Sequence, residues 1–408
     1  MAKLIVLFVV AFVDMIGAVM ILPLLPFYAT TLGASATVVG FLVAAFSLAQ
    51  LLCAPSWGRM SDRLGRRPAI LLGLGITAVS YLLFAYANSL ALLFLSRLVQ
   101  GVGGGTIGVV NAYVTDASPP EQRTKTLGWL TAVTSAGAVG GPALGSLLVN
   151  FGPRAPGIGA AALSLMTALF AWRFLRESRS MRHSVPIPIP GVAPATAPGG
   201  AAATPPTITS SGGALLHVLT RWREPAPRLI WIYAIAVGAF YGTGPVVPLL
   251  FHERFGITAQ AMGYIFAYLG GIGVVVRAGI LGWIVDRVGE PRLARVGIVV
   301  LSAGLCASAM ARSWPMLFVG LTLMPLGTAF LFPCILGMLS RLVPSGQRGL
   351  YFGVQQTFNG VTRMAFPMAA GILMDAFGKA TPFWVAGVMV IAMLPFAAQL
   401  GKPAKVEA

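Results

Sequence analysis

Runs of about 20 apolar residues recur along the whole chain, and short polar loops separate them. An α-helix of that length crosses about 30 Å of hydrocarbon, because each residue adds about 1.5 Å. Hydrophobic residues make up 57% of the 408 residues and charged residues only 10%. We therefore predict an all-α membrane protein with twelve transmembrane helices. The twelve runs are 4–28, 38–57, 69–88, 91–114, 127–150, 156–175, 228–251, 261–284, 293–311, 315–339, 350–373 and 382–400.

A charged loop between the second and third predicted helices recurs in the second half of the chain. The first copy reads Gly58-Arg-Met-Ser-Asp62-Arg63-Leu-Gly65-Arg66-Arg67-Pro68, and Gly282-Trp-Ile-Val-Asp286-Arg287-Val-Gly289 follows 224 residues later. A repeat at about half the chain length indicates a duplicated membrane domain. We predict two pseudo-symmetric six-helix halves, 1–176 and 228–408. Because 177–227 is rich in Pro, Ala, Gly, Thr and Ser, it is expected to be a flexible cytoplasmic linker.

The basic residues are concentrated on one side of the predicted membrane. Of 28 lysines and arginines, 21 fall in loops on one side, four on the other side and three inside helices. This distribution follows the positive-inside rule and predicts that both termini are cytoplasmic. The net charge of +17 therefore reflects topology and contact with lipid headgroups, and no nucleic-acid partner is expected.

The sequence lacks the residue patterns that several kinds of chemistry require. Cys53, Cys306 and Cys334 lie within apolar runs and have no paired spacing, so neither a disulfide nor a metal site is expected. The glycine run 101–105 lacks the Lys-Ser/Thr pair of a phosphate-binding loop and lies inside a predicted helix. We find no nucleophile–base pair. The chain is therefore predicted not to be an enzyme and to need no cofactor or metal.

Charged side chains inside predicted helices are costly and therefore carry functional information. Asp14 lies about ten residues into the first predicted helix and is the only acid at such a depth. A carboxyl group there can bind and release a proton during transport, so Asp14 is the predicted proton-coupling residue. The alternative is a structural ion pair with Arg97 or a hydrogen bond to the backbone. Arg277 and Arg363 are the other two intramembrane charges.

Helices four and five carry regular stripes of polar and small residues. Arg97, Gln100, Gly104, Gly108 and Asn111 follow one another at steps of three and four, which predicts one helical face. Helix five contains a second stripe, which consists of Gly137, Gly141, Pro142 and Gly145. Glycines at intervals of four allow close approach of another backbone, and a proline bends the helix.

Candidate substrate contacts lie mainly in the second half. On helix eleven, Gln356, Asn359, Gly360 and Arg363 should face one cavity, since amides facing lipid would be costly. Tyrosines on helices seven and eight suit bulky, partly apolar and sometimes cationic compounds, although packing or membrane-interface roles are the alternative. Arg277 either binds an anionic substrate or pairs with a backbone terminus. The predicted cavity residues are Gln100, Asn111, Tyr233, Tyr241, Tyr264, Tyr268, Gln356, Asn359 and Arg363.

Taken together, these motifs resemble the major facilitator superfamily over essentially the whole chain outside the linker. The loop at 58–68 matches that superfamily's signature between helices two and three, which implies a gating role. Physically, Asp62 can accept hydrogen bonds from arginines or from a facing helix N-terminus and so act as a latch. The predicted gating residues are Gly58, Asp62, Arg63, Gly65, Arg66, Asp286 and Arg287. The stretch Arg97–Gly103 resembles the helix-four motif of proton-coupled members, which implies that Arg97 modulates the acid's protonation.

The glycine–proline stripe of helix five resembles the motif of drug:proton antiporters, which implies export. The first helix, from Asp14 to Pro26, is similar to tetracycline efflux proteins, but Ser80 replaces an acid that those proteins carry on helix three. The expected function is therefore proton-coupled export of small amphipathic drugs or metabolites by alternating access. A monomer in the bacterial plasma (inner) membrane is expected. The alternatives are a proton-coupled importer of a polar metabolite or sugar and a non-transporting membrane adaptor.

Overall fold

The computed structural model describes residues 2–119, 122–175, 177, 211–344 and 347–399, and all regular structure in this part of the chain is helical. The first six spans are single or interrupted helices that lie next to one another in sequence. They run over Leu4–Thr31, Ala36–Leu64, Arg66–Ala85, Leu90–Ala117, Arg123–Val149 and Ala155–Phe174. We call these six spans the first group.

Six further spans form the second group. They are Pro225–Thr243 with Val247–Phe255, Ala259–Val288, Glu290–Met310, Trp314–Leu342, Arg348–Phe377 and Thr381–Ala398. The two parts of the seventh span meet at a bend of 44°. Ten of the described spans are long and apolar enough to cross a membrane, and the bent pair makes eleven. The remaining predicted span, Arg348–Phe377, is a helix of 30 residues that carries polar side chains such as Gln355, Asn359 and Arg363.

The predicted linker is partly helical. Most of it, 178–210, lies outside the described residues. Ser211–Thr220 forms a helix in which Ala214 and Val218 are fully buried, and the Trp231 indole nitrogen donates to the Val218 carbonyl at 3.0 Å. The seventh span begins at Pro225 rather than at 228. The prediction of a flexible linker is therefore wrong for 211–220, because two buried apolar side chains anchor this helix against the second group.

Several spans besides the bent seventh are interrupted. The first span breaks between Met20 and Leu25, the eighth contains a π-helical turn at Val276–Ile280, and the fourth breaks at Gly104 and Gly105. In the fourth span, Trp57 donates to the Val102 carbonyl at 2.6 Å and Gln50 donates to the Gly104 carbonyl at 3.1 Å. These bonds satisfy carbonyls near the break, which would otherwise be costly in lipid. The predicted stripe along helix four therefore crosses this interruption, which lies between Gln100 and Gly108, and it stays a prediction.

The two groups meet through two equivalent pairs of spans, the second with the eleventh and the fifth with the eighth. A Cβ atom added to Gly40 would overlap the carbonyl group of Pro367, and one added to Gly263 would overlap the carbonyl group of Pro142. The two glycines and the two prolines are separated by almost the same interval as the two copies of the charged loop. The same glycine–proline contact therefore occurs twice, as expected for a duplicated chain.

These contacts lie toward one end of the bundle. We call the end that carries 58–68 and 282–292 the basic face and the other end the opposite face. At the opposite face, a carboxylate oxygen of Asp375 accepts from Ala36 N at 3.1 Å and the second oxygen accepts from Thr37 N at 2.8 Å. The rings of Phe27 and His252 also meet there edge to face, with centroids 5.6 Å apart. The close contacts that join the two groups are thus concentrated at the opposite face.

Replacement of Asp375 by Ala is expected to loosen the opposite face. The change removes both hydrogen bonds to the N-terminus of the second span, a loss of about 1 kcal/mol. Spin labels at Thr31 and Phe377, in a background without Cys53, Cys306 and Cys334, should report a broader and longer distance distribution. Glu253→Ala is the matched control, because Glu253 pairs with Lys379 inside the second group. Equal distributions in wild type and Asp375→Ala would contradict the expectation.

Candidate functional site

The first cluster surrounds the fully buried side chain of Tyr81. The Gln100 side-chain nitrogen lies 3.5 Å from the Tyr81 hydroxyl, and a Cβ atom at Gly17 would lie 3.4 Å from that hydroxyl. Tyr81 also interacts electrostatically with Asp14 and Arg97. Asp14 and Gly17 are separated by three residues and share one face of the first span. Spans one, three and four therefore bring an acid, a phenol, an amide and a guanidinium group together.

Arg97 is buried without a charged partner. Only 3% of its surface is exposed, and its guanidinium carbon lies 5.5 Å from the centroid of the Phe84 ring. Its Nε and Nη2 atoms have no hydrogen-bond partner, and no ion pair joins Arg97 to Asp14 within the described residues. Burial of an unpaired charge is costly, so these donors remain available to an acceptor that approaches during the transport cycle.

Gln100 belongs to this buried cluster rather than to an open cavity. Its side chain is 3% exposed, and its carbonyl oxygen Oε1 has no hydrogen-bond partner among the described atoms. The sequence predicts that Gln100 contacts substrate; its side chain is buried beside Tyr81 in this structure, and the substrate contact stays a prediction. Further along the fourth span, Gly108 and Asn111 are exposed.

The glycine stripe of the fifth span packs directly on the span that carries Asp14. Cβ atoms added to the three glycines would lie 2.5–2.7 Å from backbone carbonyl oxygens of the first span. The pairs are Gly137 with Phe12, Gly141 with Ile16, and Gly145 with Met20. Pro142, on another face of the same helix, packs on Gly263 of the eighth span. The fifth span therefore fits between the span that carries Asp14 and the second group.

The second cluster lies in the second group and contains two arginines. It consists of Tyr233, Tyr241, Arg277, Thr328, Gln355 and Arg363. The Arg363 guanidinium carbon lies 4.2 Å from the centroid of the Tyr241 ring, a cation–π contact, and Arg363 Nε has no hydrogen-bond partner. Tyr233 interacts electrostatically with Tyr241, Arg363 and Arg277 and contacts the side chain of Gln355. Arg363 lies at the middle of its 30-residue helix.

Arg277 is placed in this cluster by an irregular turn. It is the second residue of the π-helical segment Val276–Ile280, and such turns are frequent at functional sites. Its Nη2 atom donates to the Thr328 hydroxyl at 3.4 Å. The adjacent turn contains Gly273, where a Cβ atom would lie 2.9 Å from Arg277 Nη1. Glycine therefore provides room for the guanidinium group.

Other predicted cavity residues lie apart from the second cluster or at its edge. The Tyr268 hydroxyl hydrogen-bonds Thr322 at 2.8 Å, and its ring packs edge to face on the exposed Phe318. Nine residues separate Tyr268 from Arg277, so the two side chains lie on roughly opposite helix faces. Tyr264, one turn earlier, is also exposed. On the eleventh span, Asn359 donates to Gln356 at 3.2 Å, which keeps these two amides on one face.

The repeated charged loop ends two helices in the same way. Gly65 has φ +105° and Gly289 has φ +81°, a region that favours glycine. Arg66, one residue after the first of these glycines, forms ion pairs with Asp62 at 2.8 Å and with Asp116 at 3.3 Å. These ion pairs all lie within the first group. Gly58, another predicted gating residue, has open space around it.

A residue of the predicted linker completes this loop. The two carboxylate oxygens of Glu177 accept from Arg66 N at 2.9 Å and Arg67 N at 3.2 Å, and so cap the third span. In the second copy, Arg287 stacks on Trp283 with its guanidinium carbon 3.8 Å from the ring centroid, while Asp286 is exposed. The two copies therefore share their backbone but differ in their side-chain contacts.

Sequence reasoning missed Tyr81, Gln355 and Glu177. Tyr81 lies inside an apolar run, and its only signal is a polar hydroxyl deep in a predicted span. The helical spacing on helix eleven selects Gln356 and gives no reason to choose its neighbour Gln355. Glu177 falls at the start of the predicted linker, where composition gave no reason to expect a helix cap.

Comparisons with known proteins agree with this architecture. The sequence profile of the Major Facilitator Superfamily matches residues 7–293 and 278–407. The chain is 28% identical over 389 residues to the class B tetracycline resistance protein of Escherichia coli, covering 94% of this chain and 91% of that protein. It is 26% identical over 387 residues to multidrug resistance protein 2 of Bacillus subtilis (strain 168), covering 93% and 90%. The crystal structure of the human organic anion transporter MFSD10 (TETRAN) matches with TM-score 0.65 and 24% identity over 97% of this chain and 99% of that chain.

Replacement of Gly141 by Ala should separate the first and fifth spans. The added methyl group would lie 2.7 Å from the Ile16 carbonyl oxygen, and overpacking of this kind typically costs about 1–3 kcal/mol. Thermal unfolding of the purified protein should therefore shift downward. Gly140→Ala is the matched control, because the adjacent Gly140 faces open space. If both variants unfold at the same temperature, the close packing of this stripe is not important for stability.

Proposed function

The chain belongs to the Major Facilitator Superfamily, and we propose that it is a proton-coupled antiporter that exports small amphipathic compounds by alternating access. The observation that carries this proposal is the first cluster, in which half-buried Asp14 has no ion-pair partner among the described residues. An acid at this depth is costly unless it is used, and intramembrane acids commonly act in proton relays. Tyr81, Gln100 and Arg97 supply the polar surroundings that an ionisable carboxyl group needs.

The arrangement suggests how a proton at Asp14 affects the rest of the molecule. Asp14 and Arg97 both interact electrostatically with Tyr81, so protonation of Asp14 changes the balance of charge around the Tyr81 hydroxyl. Asp14 lies on a span that fits closely against the glycine stripe of the fifth span, so a shift of one moves the other. The fifth span in turn packs on Gly263 of the second group. We propose that protonation is coupled to rocking of the two groups along this path.

The gating role of the charged loop is part of the same proposal. In the structure, Arg66 pairs with Asp62 and Asp116 within the first group, while the contacts that join the groups lie at the opposite face. We propose that Arg66 holds the loop against its own group in this conformation. In the alternative conformation, we expect Asp62 and Arg66 to exchange some of these contacts for partners in the second group.

The direction of transport and the membrane are inferred from several features together. The tetracycline resistance and multidrug resistance proteins named above are full-length relatives of bacterial origin. Their similarity supports export across a bacterial plasma membrane, and the basic loops support cytoplasmic termini. The printed names of the relatives differ in the compounds that they mention. We therefore propose only the broad class of small amphipathic compounds here and expect a monomer.

Replacement of Asp14 by Asn should abolish proton coupling. Energised inverted vesicles would be loaded with a pH-sensitive dye and exposed to tetracycline, ethidium and fluorescein in turn. In wild type, at least one compound should collapse the proton gradient, and in Asp14→Asn none should. Glu253→Gln is the control, since this exposed acid at the opposite face lies outside both clusters. Exchange of labelled for unlabelled substrate should persist in Asp14→Asn, because exchange needs no proton.

Each other outcome identifies a different function or mechanism. Collapse that survives in Asp14→Asn would keep the antiporter and remove Asp14 from proton coupling. If no compound collapses the gradient but proton-driven uptake of a sugar or metabolite occurs, the protein is an importer. If Asp14→Asn leaves cellular function intact while deletion of 186–210 abolishes it, the protein acts as a membrane adaptor.

A further inference from the structure

The second cluster carries positive charge that no acid balances. Arg277 and Arg363 both interact electrostatically with Tyr233. No ion pair involves either arginine within the described residues. Most described acids of the second group have partners elsewhere. Glu224 pairs with His217 and Arg221, Glu253 with Lys379, Glu290 with Arg341, and Asp375 binds the N-terminus of the second span.

We propose that Arg277 and Arg363 bind an anionic group of the transported compound, so that the substrates are amphipathic organic anions. This inference rests on the proposed transport function and names the substrate class of that same site. Two guanidinium groups on different spans can approach one carboxylate or sulfonate from two directions, and guanidinium groups are well suited to planar, bidentate recognition.

Arg363 is held in a state that leaves hydrogen-bond donors unused. Its guanidinium group stacks on Tyr241 at 4.2 Å, and its Nε atom is buried without a partner. Stacking fixes the plane of the group and leaves its N–H edge for an incoming acceptor. The exposed Tyr241 ring also offers an apolar surface for an aromatic part of the same compound. Arg363 therefore meets both the charged and the apolar requirements of an amphipathic anion.

Arg277 supplies the second charge from an exposed position. Its side chain is exposed, and its one hydrogen bond in the described structure is the 3.4 Å contact with the neutral Thr328 hydroxyl. The π-helical turn around Arg277 leaves irregular backbone at this depth, and such turns occur in membrane spans mainly where they line cavities or functional sites. A structural role for Arg277 would predict an acid or a helix C-terminus as its partner, and neither contacts it.

An anionic substrate also fits the proposed proton coupling. When the site is empty, the two unbalanced arginines disfavour a further positive charge nearby, so a cationic compound would be repelled. An anion neutralises the second cluster, while a proton neutralises Asp14 in the first cluster. The two ligands thus act on separate groups of opposite charge, and each group can be altered alone.

The test compares two dyes with the same xanthene ring system and opposite charge. Fluorescence anisotropy of fluorescein and of rhodamine 123 would be measured with the purified full chain in detergent, without a proton gradient. Wild type should bind the anion fluorescein more tightly. Arg277→Gln and Arg363→Gln should each weaken fluorescein binding by about tenfold or more, as expected when a charge-assisted hydrogen bond is lost. Arg312→Gln, a change at an exposed loop arginine, should have no effect.

Further variants separate charge from fold. Arg363→Lys keeps the charge but loses the planar stacking group, so its affinity should fall between those of wild type and Arg363→Gln. Glu253→Gln, a change at an exposed acid outside both clusters, should bind fluorescein as wild type does. Should the glutamine variants fail to fold, wild type alone still provides a test. Unlabelled 1-naphthoate should displace fluorescein, and 1-naphthylmethylammonium should not.

Several results would overturn the proposal. They are tighter binding of rhodamine 123 than of fluorescein, no binding of either dye, and unchanged fluorescein affinity in folded Arg277→Gln and Arg363→Gln. Equal displacement by the two naphthyl compounds would also overturn it. Loss of proton coupling in Asp14→Asn together with weakened fluorescein binding in Arg277→Gln and Arg363→Gln would support both proposals. Binding of fluorescein without any proton coupling in wild type would reject the antiporter and keep the anion site.

Discussion

In a bilayer, every backbone N–H and carbonyl group must find a partner within the protein, and this requirement shapes the whole chain. It explains why all described regular structure is helical. It also makes the helix interruptions costly, because a broken helix leaves backbone polar groups to which other residues must hydrogen-bond. In the fourth span, Trp57 and Gln50 perform this task. The π-helical turn of the eighth span carries Arg277, so an irregular backbone and an intramembrane charge occur at the same place.

The two clusters follow a common plan with opposite chemistry. The first places one acid near a buried phenol and a buried arginine, and the second places two arginines near two tyrosines. In both, a guanidinium group faces an aromatic ring, which tolerates positive charge without neutralising it. Charge is therefore retained inside the membrane in a form that a proton or a substrate can complement. If each arginine were paired with an acid, the two clusters would be more stable. A bound proton or substrate would then find no unbalanced charge to neutralise.

The sequence predicts the spans well because apolar length is a local property. It also predicts the duplication, since the charged loop survives in both copies. It does not predict the break at Gly104, where Trp57 and Gln50 of another span bind the nearby carbonyl groups. The helix at 211–220 is hidden by its Ser-Gly-Gly start, and it buries Ala214 and Val218. Likewise, the spacing of Gln100 does not predict that its side chain lies beside the Tyr81 hydroxyl of another span. Periodicity predicts which face of a helix a residue lies on, but it does not predict which residue of another span packs against that face.

The repeated glycine–proline contact limits how the protein can move. Gly40 packs on the Pro367 carbonyl group, and Gly263 packs on the Pro142 carbonyl group and the Ser146 hydroxyl, so that backbone lies against backbone at both points. Side chains can change rotamer when two helices shift. Backbone atoms in contact do not have this freedom, so the helices can move mainly by rotation about the contact. Two such points define a line, and a rigid body held along a line has a single rotational degree of freedom. Relative motion of the two six-helix groups would then be described by one angle about the line through these two contacts.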